Sequence, residues 1–539
     1  MQQFLNRVKI QSIRKQAWIG IALTATVVLL ATVFPRLMVV GGLPMTDEGS
    51  YAYYAQAIHA NFAAGKGLFD WGPLVLYPIL VSCVFGLAAN HLVLLRLVDM
   101  LVAIVASWLL CRVIEHESGS RVGGALISLV SLFTMNQNVF IDCGFKNSMF
   151  AAYVPLFLAL RLGQCATSKA YVTWGLAGAL AALAVLLRET FLHFFIVGAI
   201  AIVMTHGWRA SLRFTLGAVV AGLLVTLGIC AARGGIANLI AGYRNYGVFF
   251  AASVDQRVSL FISEGIISAN EAMVALILGG LGIVSIVTGL FTHNRPVSPK
   301  HFTFWLFVAL VPLLEPATKV GYAYHFAVCL PGIAGLAALG WKSAGTGSGA
   351  STKLRLAAFT VAVSVLLLLP KIIPLANSWP STRDTLQSIG TGSWPSNQTE
   401  WSNYLLAAEA IRKVAPPNGT LGITDQMTAL FPLTGLLPSS NDLHNLSTAL
   451  LKLDGDEMRL TQALLACPPD VLMVTDRPMP TRNAHLHMKK IFYAVVDSGL
   501  YEPVASIPVD LRRSVGYFGG IVFKRDIQIQ RPCDSKKAL

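Results

Sequence analysis

Charge is what this chain has least of. Only 13% of its 539 residues are Asp, Glu, Lys or Arg, about half of the roughly 25% that a soluble domain carries. A chain built only of soluble globular domains is therefore excluded. Acids are the scarcer sign, 27 against 41 Lys and Arg, for a formal net charge of +14. No nucleic-acid motif accompanies that excess, so it points to cytoplasmic loops and phospholipid head groups, and no nucleic-acid partner is expected. The eight cysteines show no metal-ligand spacing. Most lie in apolar runs, where a thiol behaves as a small hydrophobe. There is no internal repeat, and the one biased tract is a Gly/Ser-rich link at 345–351.

What is present is apolar sequence in long runs. Hydrophobic residues make up 55% of the chain, and several runs reach eighteen or more, the length that crosses a bilayer. The first, 17–40, follows a basic segment, is too long for a signal-peptide core and shows no small-residue cleavage site. It reads as an uncleaved anchor with the N-terminus in the cytoplasm. The stretch 69–88 is short and carries two prolines. If it stays in the interface, the basic end of the run 92–114 faces the cytoplasm, as the positive-inside rule prefers. Further runs at 123–140, 149–162, 171–187, 191–205, 214–231, 272–291, 302–314, 322–339 and 356–370 then alternate consistently, for about eleven spans. Between 233 and 270 lies a long outer loop.

From about residue 377 polar residues, Trp and Pro return. Segments 420–426, 470–478 and 519–526 read as strands, and 405–415 and 458–466 as helices. The expected architecture is mostly α: a polytopic membrane helix bundle over 1–376, with amphipathic helices in the first outer loop, and a soluble extracytoplasmic α/β or α+β domain over 377–539. Cys467 and Cys533 lie in that domain and can pair in an oxidising compartment.

The first outer loop holds MTDEGSYAYY, residues 45–54. Thr46 or Asp47 can cap a helix there. Tyr51, Tyr54, Ile58 and Phe62 then share one helical face, which suggests a helix lying on the membrane surface. Ionisable groups beside spans are functional candidates by default, and the topology collects a set of them on the outer face. They are Asp47, Glu48 and Asp70 in the first loop, Asp142 in the second, and Arg188 and Glu189 in the third. Arg244, Asp255, Arg257 and Glu264 follow in the fourth, and Lys319, Tyr324 and His325 in the fifth. Each also has a plainer reading. Asp47, Glu48 and Asp142 can cap helices, Arg188 and Glu189 can be a local ion pair, and Lys319 can snorkel to head groups. Arg244 and Arg257 can be solvated, and Tyr322 and Tyr324 can belong to an interfacial aromatic belt.

Taken in order, these segments resemble the integral-membrane glycosyltransferases of the GT-C type, and within them the protein O-mannosyltransferase and lipid A aminoarabinose transferase branch. TDEGSYAYYAQAI matches that branch's acid-bearing first-loop segment, which implies Asp47 as the catalytic carboxylate. DWGPLVLYP, residues 70–78, matches its Lys-Pro-Pro-Leu stretch without the Lys. Ile141-Asp142 matches its Leu-Asp, Leu187-Arg188-Glu189 its Thr-Lys-Gly, and YAYHFAVCLP, 322–331, its Lys-Tyr-Tyr-Leu-Leu-Pro. The likeness covers about 17–341.

It implies an inverting transfer of sugar from a polyprenyl-phosphate donor to a hydroxyl on a glycan, lipid or protein acceptor. Asp47 would be the general base, and Glu48 or Asp142 would orient the acceptor or bind a divalent ion if one is used. Arg188, helped by Lys319, Arg244 or Arg257 and by Tyr324 and His325, would hold the donor phosphate. The implied location is a bacterial inner membrane. Two other classes stay open on sequence: a polymerase or ligase using a pyrophosphate-linked lipid, and a lipid or solute transporter, which would place ionisable groups near mid-span.

Overall fold

The computed structural model describes residues 18–41, 46–63, 76–88, 91–137, 140, 149–167, 169–232, 235–237, 240, 253–291, 297–319, 321–345, 369, 371–373, 379–391, 402–423, 428–439, 465, 467–475, 493–507 and 520–526. Six of the described helices are long and apolar enough to cross a bilayer. They are α1 (Trp18–Met38), α4 (His91–Ser118), α8 (Glu189–His206), α9 (Trp208–Ala232), α12 (Pro299–Thr318) and α13 (Ala323–Ala344). Shorter apolar helices are α5 (Arg121–Met135), α6 (Met149–Cys165) and α7 (Tyr171–Leu187). A pair bent by 85°, α10 (Val254–Glu271) and α11 (Met273–Phe291), is long and apolar enough only when taken together, as a broken span or a re-entrant loop. The chain is an integral membrane protein. The expected last span, 356–370, falls almost wholly outside the described residues.

The first loop holds α2 (Thr46–Ala63) and α3 (Leu76–Ser82). Within 69–88 the described residues hold the seven-residue α3, and 69–75 lie outside the described residues. The long outer loop is a point of correction. Much of it is α10, opened by a capping box in which Ser253 Oγ accepts from Gln256 N–H and Gln256 Oε1 accepts from Ser253 N–H, both at 3.3 Å. It turns by 85° into α11, and its Val254, Val258, Ile262 and Ile266, one helical turn apart, are exposed.

Helices α7 and α9 cross with their backbones in contact. A Cβ on Gly178 would stand 1.8 Å from the Phe214 carbonyl oxygen, and one on Gly217 2.0 Å from that of Gly175. Small residues allow this approach in a bilayer, where packing replaces the hydrophobic driving force. We expect Gly178→Val to destabilise the bundle by at least the roughly 1–3 kcal/mol of an overpacked core. The check is loss of the monodisperse peak in size-exclusion chromatography. Gly222→Val is the control, because nothing lies within 4 Å of its added Cβ.

In the C-terminal part, after α14 (Trp379–Thr391), β1 (Leu421–Ile423), β2 (Val471–Thr475), β3 (Tyr501–Ile507) and β4 (Gly520–Arg525) form one sheet in the order β1-β2-β4-β3. β1 runs parallel to β2, and the other two pairings are antiparallel. Alternation sorts the side chains. Val471 and Met473 pack with Ala407, Ala408 and Ile411 of α15 (Ser402–Val414), while Leu472 and Val474 pack with Val495 and Leu500. Asp470 accepts from Thr420 N–H at 2.9 Å and pairs with Arg525 at 2.5 Å, tying β1, β2 and β4 together at one end. The segments expected as strands each hold one; β3 was not anticipated. The expected helix at 458–466 lies largely outside the described residues. Cys467 is disulfide-bonded, and Cys533 lies outside the described residues.

Candidate active site

The C-terminal ends of α1 and α5 and the N-terminal part of α4 are tied by a buried polar chain that loop-by-loop reasoning missed. Arg36 of α1, 1% exposed, pairs with Asp99 of α4 at 2.6 Å and donates through Nε to Asn136 at 2.6 Å. The Tyr77 hydroxyl of α3 donates to the other Asp99 oxygen. One helical turn from Asp99, the fully buried Arg96 donates to both oxygens of Glu48, at 2.6 and 2.7 Å, and to the Val40 carbonyl. Arg36, Arg96 and Asp99 all stand inside apolar runs, which is the signal that could have found them.

This pairing adds a structural role for Glu48: a carboxylate whose two oxygens both accept from a buried guanidinium holds the start of α2 against α4. Among the described residues, no three His, Cys, Asp or Glu side chains gather as ligands for a metal ion, and no step below is routed through one. We expect Arg96→Met, which takes the guanidinium away from the buried Glu48 carboxylate, to cost about 3–5 kcal/mol. The Arg96→Met/Glu48→Met double variant should recover most of it. Thermal melting in detergent checks both.

The Asp47 backbone lies in the first turn of α2, and its side chain lies outside the described residues, as do Asp142 and Arg244. Helix α2 is not the surface helix its Tyr51/Tyr54/Ile58/Phe62 pattern suggested. Ile58 is buried, but so are Ala52, Tyr53, Ala55 and Ala57 on other faces. Neighbours cover the helix on more than one side.

Arg188 caps the C-terminal end of α7 and is 8% exposed. It forms no ion pair with Glu189, contrary to the plainer reading; its guanidinium instead faces the Tyr324 ring at 5.6 Å. The Arg188 Nε has no hydrogen-bond partner among the described residues. Glu315 and the phenols of Tyr324 and Tyr51 are within electrostatic range of it. Tyr51 is one helical turn after Asp47, so the Asp47 turn and Arg188 stand at the same end of the bundle.

Glu315 organises the rest of the cluster. It pairs with Lys319, accepts from the Thr190 hydroxyl at 2.9 Å and lies 3.8 Å from His325 Nε2, while its Oε2 has no partner among the described residues. Lys319 is thus engaged by a carboxylate, and His325 is braced by Tyr322, whose N–H donates to Nδ1 at 3.0 Å. Tyr324 stacks on His325, ring centroids 4.1 Å apart. Arg257 of α10 donates to the Thr318 carbonyl at 2.7 Å, and its Nε too has no partner among the described residues. Helix α10 also clamps the turn between α12 and α13. Glu264 accepts from Ala323 N–H at 3.0 Å, and Ser268 donates to the Ala323 carbonyl at 3.1 Å. Arg188, Lys319, Tyr324, His325 and Arg257 are therefore drawn to one region by α12, α13 and α10.

Beside this cluster opens an apolar cavity of about 320 Å³, between α10, α11, α12 and α13. Leu313 and Phe326, close in sequence to Glu315 and His325, line it together with Gly279, Gly280 and Ile333 of the spans. The buried Arg188 and the half-buried Arg257 thus each keep an Nε unpartnered among the described residues, beside this apolar groove.

The fold is of the GT-C type found in integral-membrane glycosyltransferases. The structure of ArnT from Cupriavidus metallidurans bound to undecaprenyl phosphate is similar over 94% of this chain and 98% of its own, with a TM-score of 0.53 at 14% identity. The apo oligosaccharyltransferase of Archaeoglobus fulgidus matches over 84% of this chain and 69% of its own, with a TM-score of 0.49 at 12% identity. No protein-family profile and no curated protein sequence matches the chain.

Proposed function

We propose that the chain is a glycosyltransferase that moves a sugar from a polyprenyl-phosphate donor to an acceptor hydroxyl at the extracytoplasmic face of a membrane. The observation that carries this reading is Arg188: a buried guanidinium with no carboxylate partner among the described residues, at the same end as the Asp47 turn and beside an apolar groove. A buried charge left unpaired is costly, and a phosphate monoester is the anion that would relieve it. The apolar cavity suits the first part of an isoprenoid tail, with the remainder in the bilayer. ArnT, whose fold this chain shares, was solved with such a lipid phosphate bound.

In this mechanism Asp47 takes the proton of the acceptor hydroxyl as its oxygen attacks the anomeric carbon. The bond from that carbon to the phosphate oxygen breaks, and the polyprenyl phosphate leaves as an anion held by Arg188 and Arg257. Lys319 adds positive charge, tempered by Glu315. A single displacement inverts the anomeric centre and needs no second carboxylate as nucleophile. Asp142 orients the acceptor, and Tyr324 and His325 wall the phosphate pocket. We place the C-terminal domain outside the cytoplasm, where the Cys467 disulfide is at home, in a bacterial inner membrane.

The test is incubation of purified protein with a panel of polyprenyl-phosphate sugars and polyprenyl-pyrophosphate glycans, followed by mass spectrometry. Consumption of a monophosphate-linked sugar with release of polyprenyl phosphate supports the reading. Consumption of pyrophosphate-linked glycans alone replaces it with a ligase or polymerase.

A further inference from the structure

The first turn of α2 is held from two sides. Arg96 grips Glu48 from the membrane side, as described above. From the other side comes the C-terminal part of the chain, in the segment Thr428 to Leu436, which includes the short helix α16 (Leu430–Thr434). A Cβ on Gly49, two residues from Asp47, would stand 2.5 Å from the Ala429 backbone nitrogen and 2.8 Å from Thr428 Oγ1. One turn on, the Tyr53 and Phe431 rings stack with centroids 4.5 Å apart, both 1% exposed. Beyond them Gln56 donates through Nε2 to the Leu436 carbonyl at 3.1 Å. Ala52, Tyr53, Ala57 and Ile58 of α2 belong to one hydrophobic core with Leu421, Val471 and Phe431. This core is continuous with the face of the sheet covered by α15.

Contacts at Gly49, Tyr53 and Gln56 run along one side of α2 for two turns. The closest of them is against backbone, which cannot swing aside as a long side chain can. We propose that the segment Thr428 to Leu436 is a positioning element for the reaction: it fixes the height and rotation of the helix turn that carries Asp47 over the donor. The inference rests on the transferase reading and adds to it a task for the C-terminal domain. Gly49 is the notch that lets the two backbones meet. Any side chain there must lift either the Asp47 turn or the docked segment, and a displacement of about 1 Å at a reacting group costs on the order of 100-fold in rate. The donor is held elsewhere, by α10, α12 and α13, so a fault at this contact shows in turnover and not in donor affinity.

The test compares Gly49→Ala and Phe431→Leu with the wild-type full-length protein. Activity is expressed per molecule of monodisperse, folded protein. We expect kcat to fall at least tenfold in Gly49→Ala and about threefold in Phe431→Leu, with the KM for the lipid donor within twofold of wild type in both. A purely structural contact would instead lower the melting temperature and leave kcat per folded molecule unchanged, and that result overturns the proposal. So does a donor KM that rises in proportion as kcat falls. Should Gly49→Ala fail to fold, Phe431→Leu decides by the same criteria. An Asp47→Asn control separates the two claims. If it still turns over, the transferase reading falls; if it is inactive while both contact variants work normally, only the positioning role does.

Discussion

We expect Asp47→Asn to abolish transfer while the protein still inserts, folds and binds lipid donor. The substitution keeps the size of the side chain and removes its ability to take a proton. A positioned general base contributes roughly 10²–10⁴-fold to rate, so kcat should fall by at least about 100-fold, with the donor KM changed by no more than a few-fold. The neighbouring Glu48 does not substitute for it, because both its oxygens accept from Arg96. Product formation from a labelled donor measures the first effect, and donor binding to the inactive variant measures the second. Near-normal transfer would remove Asp47 from the mechanism.

The second large effect belongs to Arg188. The Arg188→Gln variant loses the guanidinium that has no carboxylate partner and whose Nε is unsatisfied among the described residues. If that charge holds the leaving phosphate, removing it costs on the order of 10²–10³ in kcat, as for other fixed groups that meet developing negative charge. The donor KM rises as well, because the same group meets the ground-state phosphate. Stability moves the other way. A buried cation without an ion-pair partner among the described residues destabilises the empty protein, so Arg188→Gln should melt at the same temperature as wild type or higher in the absence of lipid. Loss of activity together with unimpaired stability distinguishes a ligand-holding charge from a structural one. A structural role would show the pattern expected of Arg96→Met, with both falling together.

These contrasts also mark what the sequence could tell. Helix α7 was legible to the residue, because an uninterrupted apolar run ends in Arg188. Six of the eleven expected spans are helices long and apolar enough to cross, and they were legible because bilayer thickness imposes a length. Helix α10 was not, although Ser253 and Gln256 stand at capping-box spacing and Val254, Val258, Ile262 and Ile266 repeat every four residues. Asp255, Arg257 and Glu264 interrupt the hydrophobicity there, and a span-length window averages the stripe away.

The site was half legible. Arg188, Lys319, Tyr324 and His325 could be assigned to one face of the membrane by counting spans, and they do share one region. That Lys319 is engaged by Glu315 while Arg188 has no ion-pair partner among the described residues follows from how α7, α12 and α13 pack, which no local pattern encodes. The same holds for Glu48. Its partner is 48 residues away inside an apolar run, and only the fold brings the two together. The aromatic helix was recognised as a helix, but only one of its faces was given a role. Tyr53 and Gln56 look like off-face residues until the C-terminal segment is seen to cover them.

The account depends most on the claim that Arg188 and its neighbours hold a lipid-linked phosphate. Binding of a polyprenyl monophosphate and of the uncharged polyprenol of the same length, to wild type and to Arg188→Gln, measures it directly. Charge-assisted hydrogen bonds contribute about 1.5–3 kcal/mol each, or roughly 10–100-fold in affinity. Wild type should therefore prefer the phosphate by at least about tenfold, and the variant should lose most of that preference while keeping its affinity for the alcohol. Equal binding of both lipids to wild type, or an undiminished preference in the variant, would contradict the account.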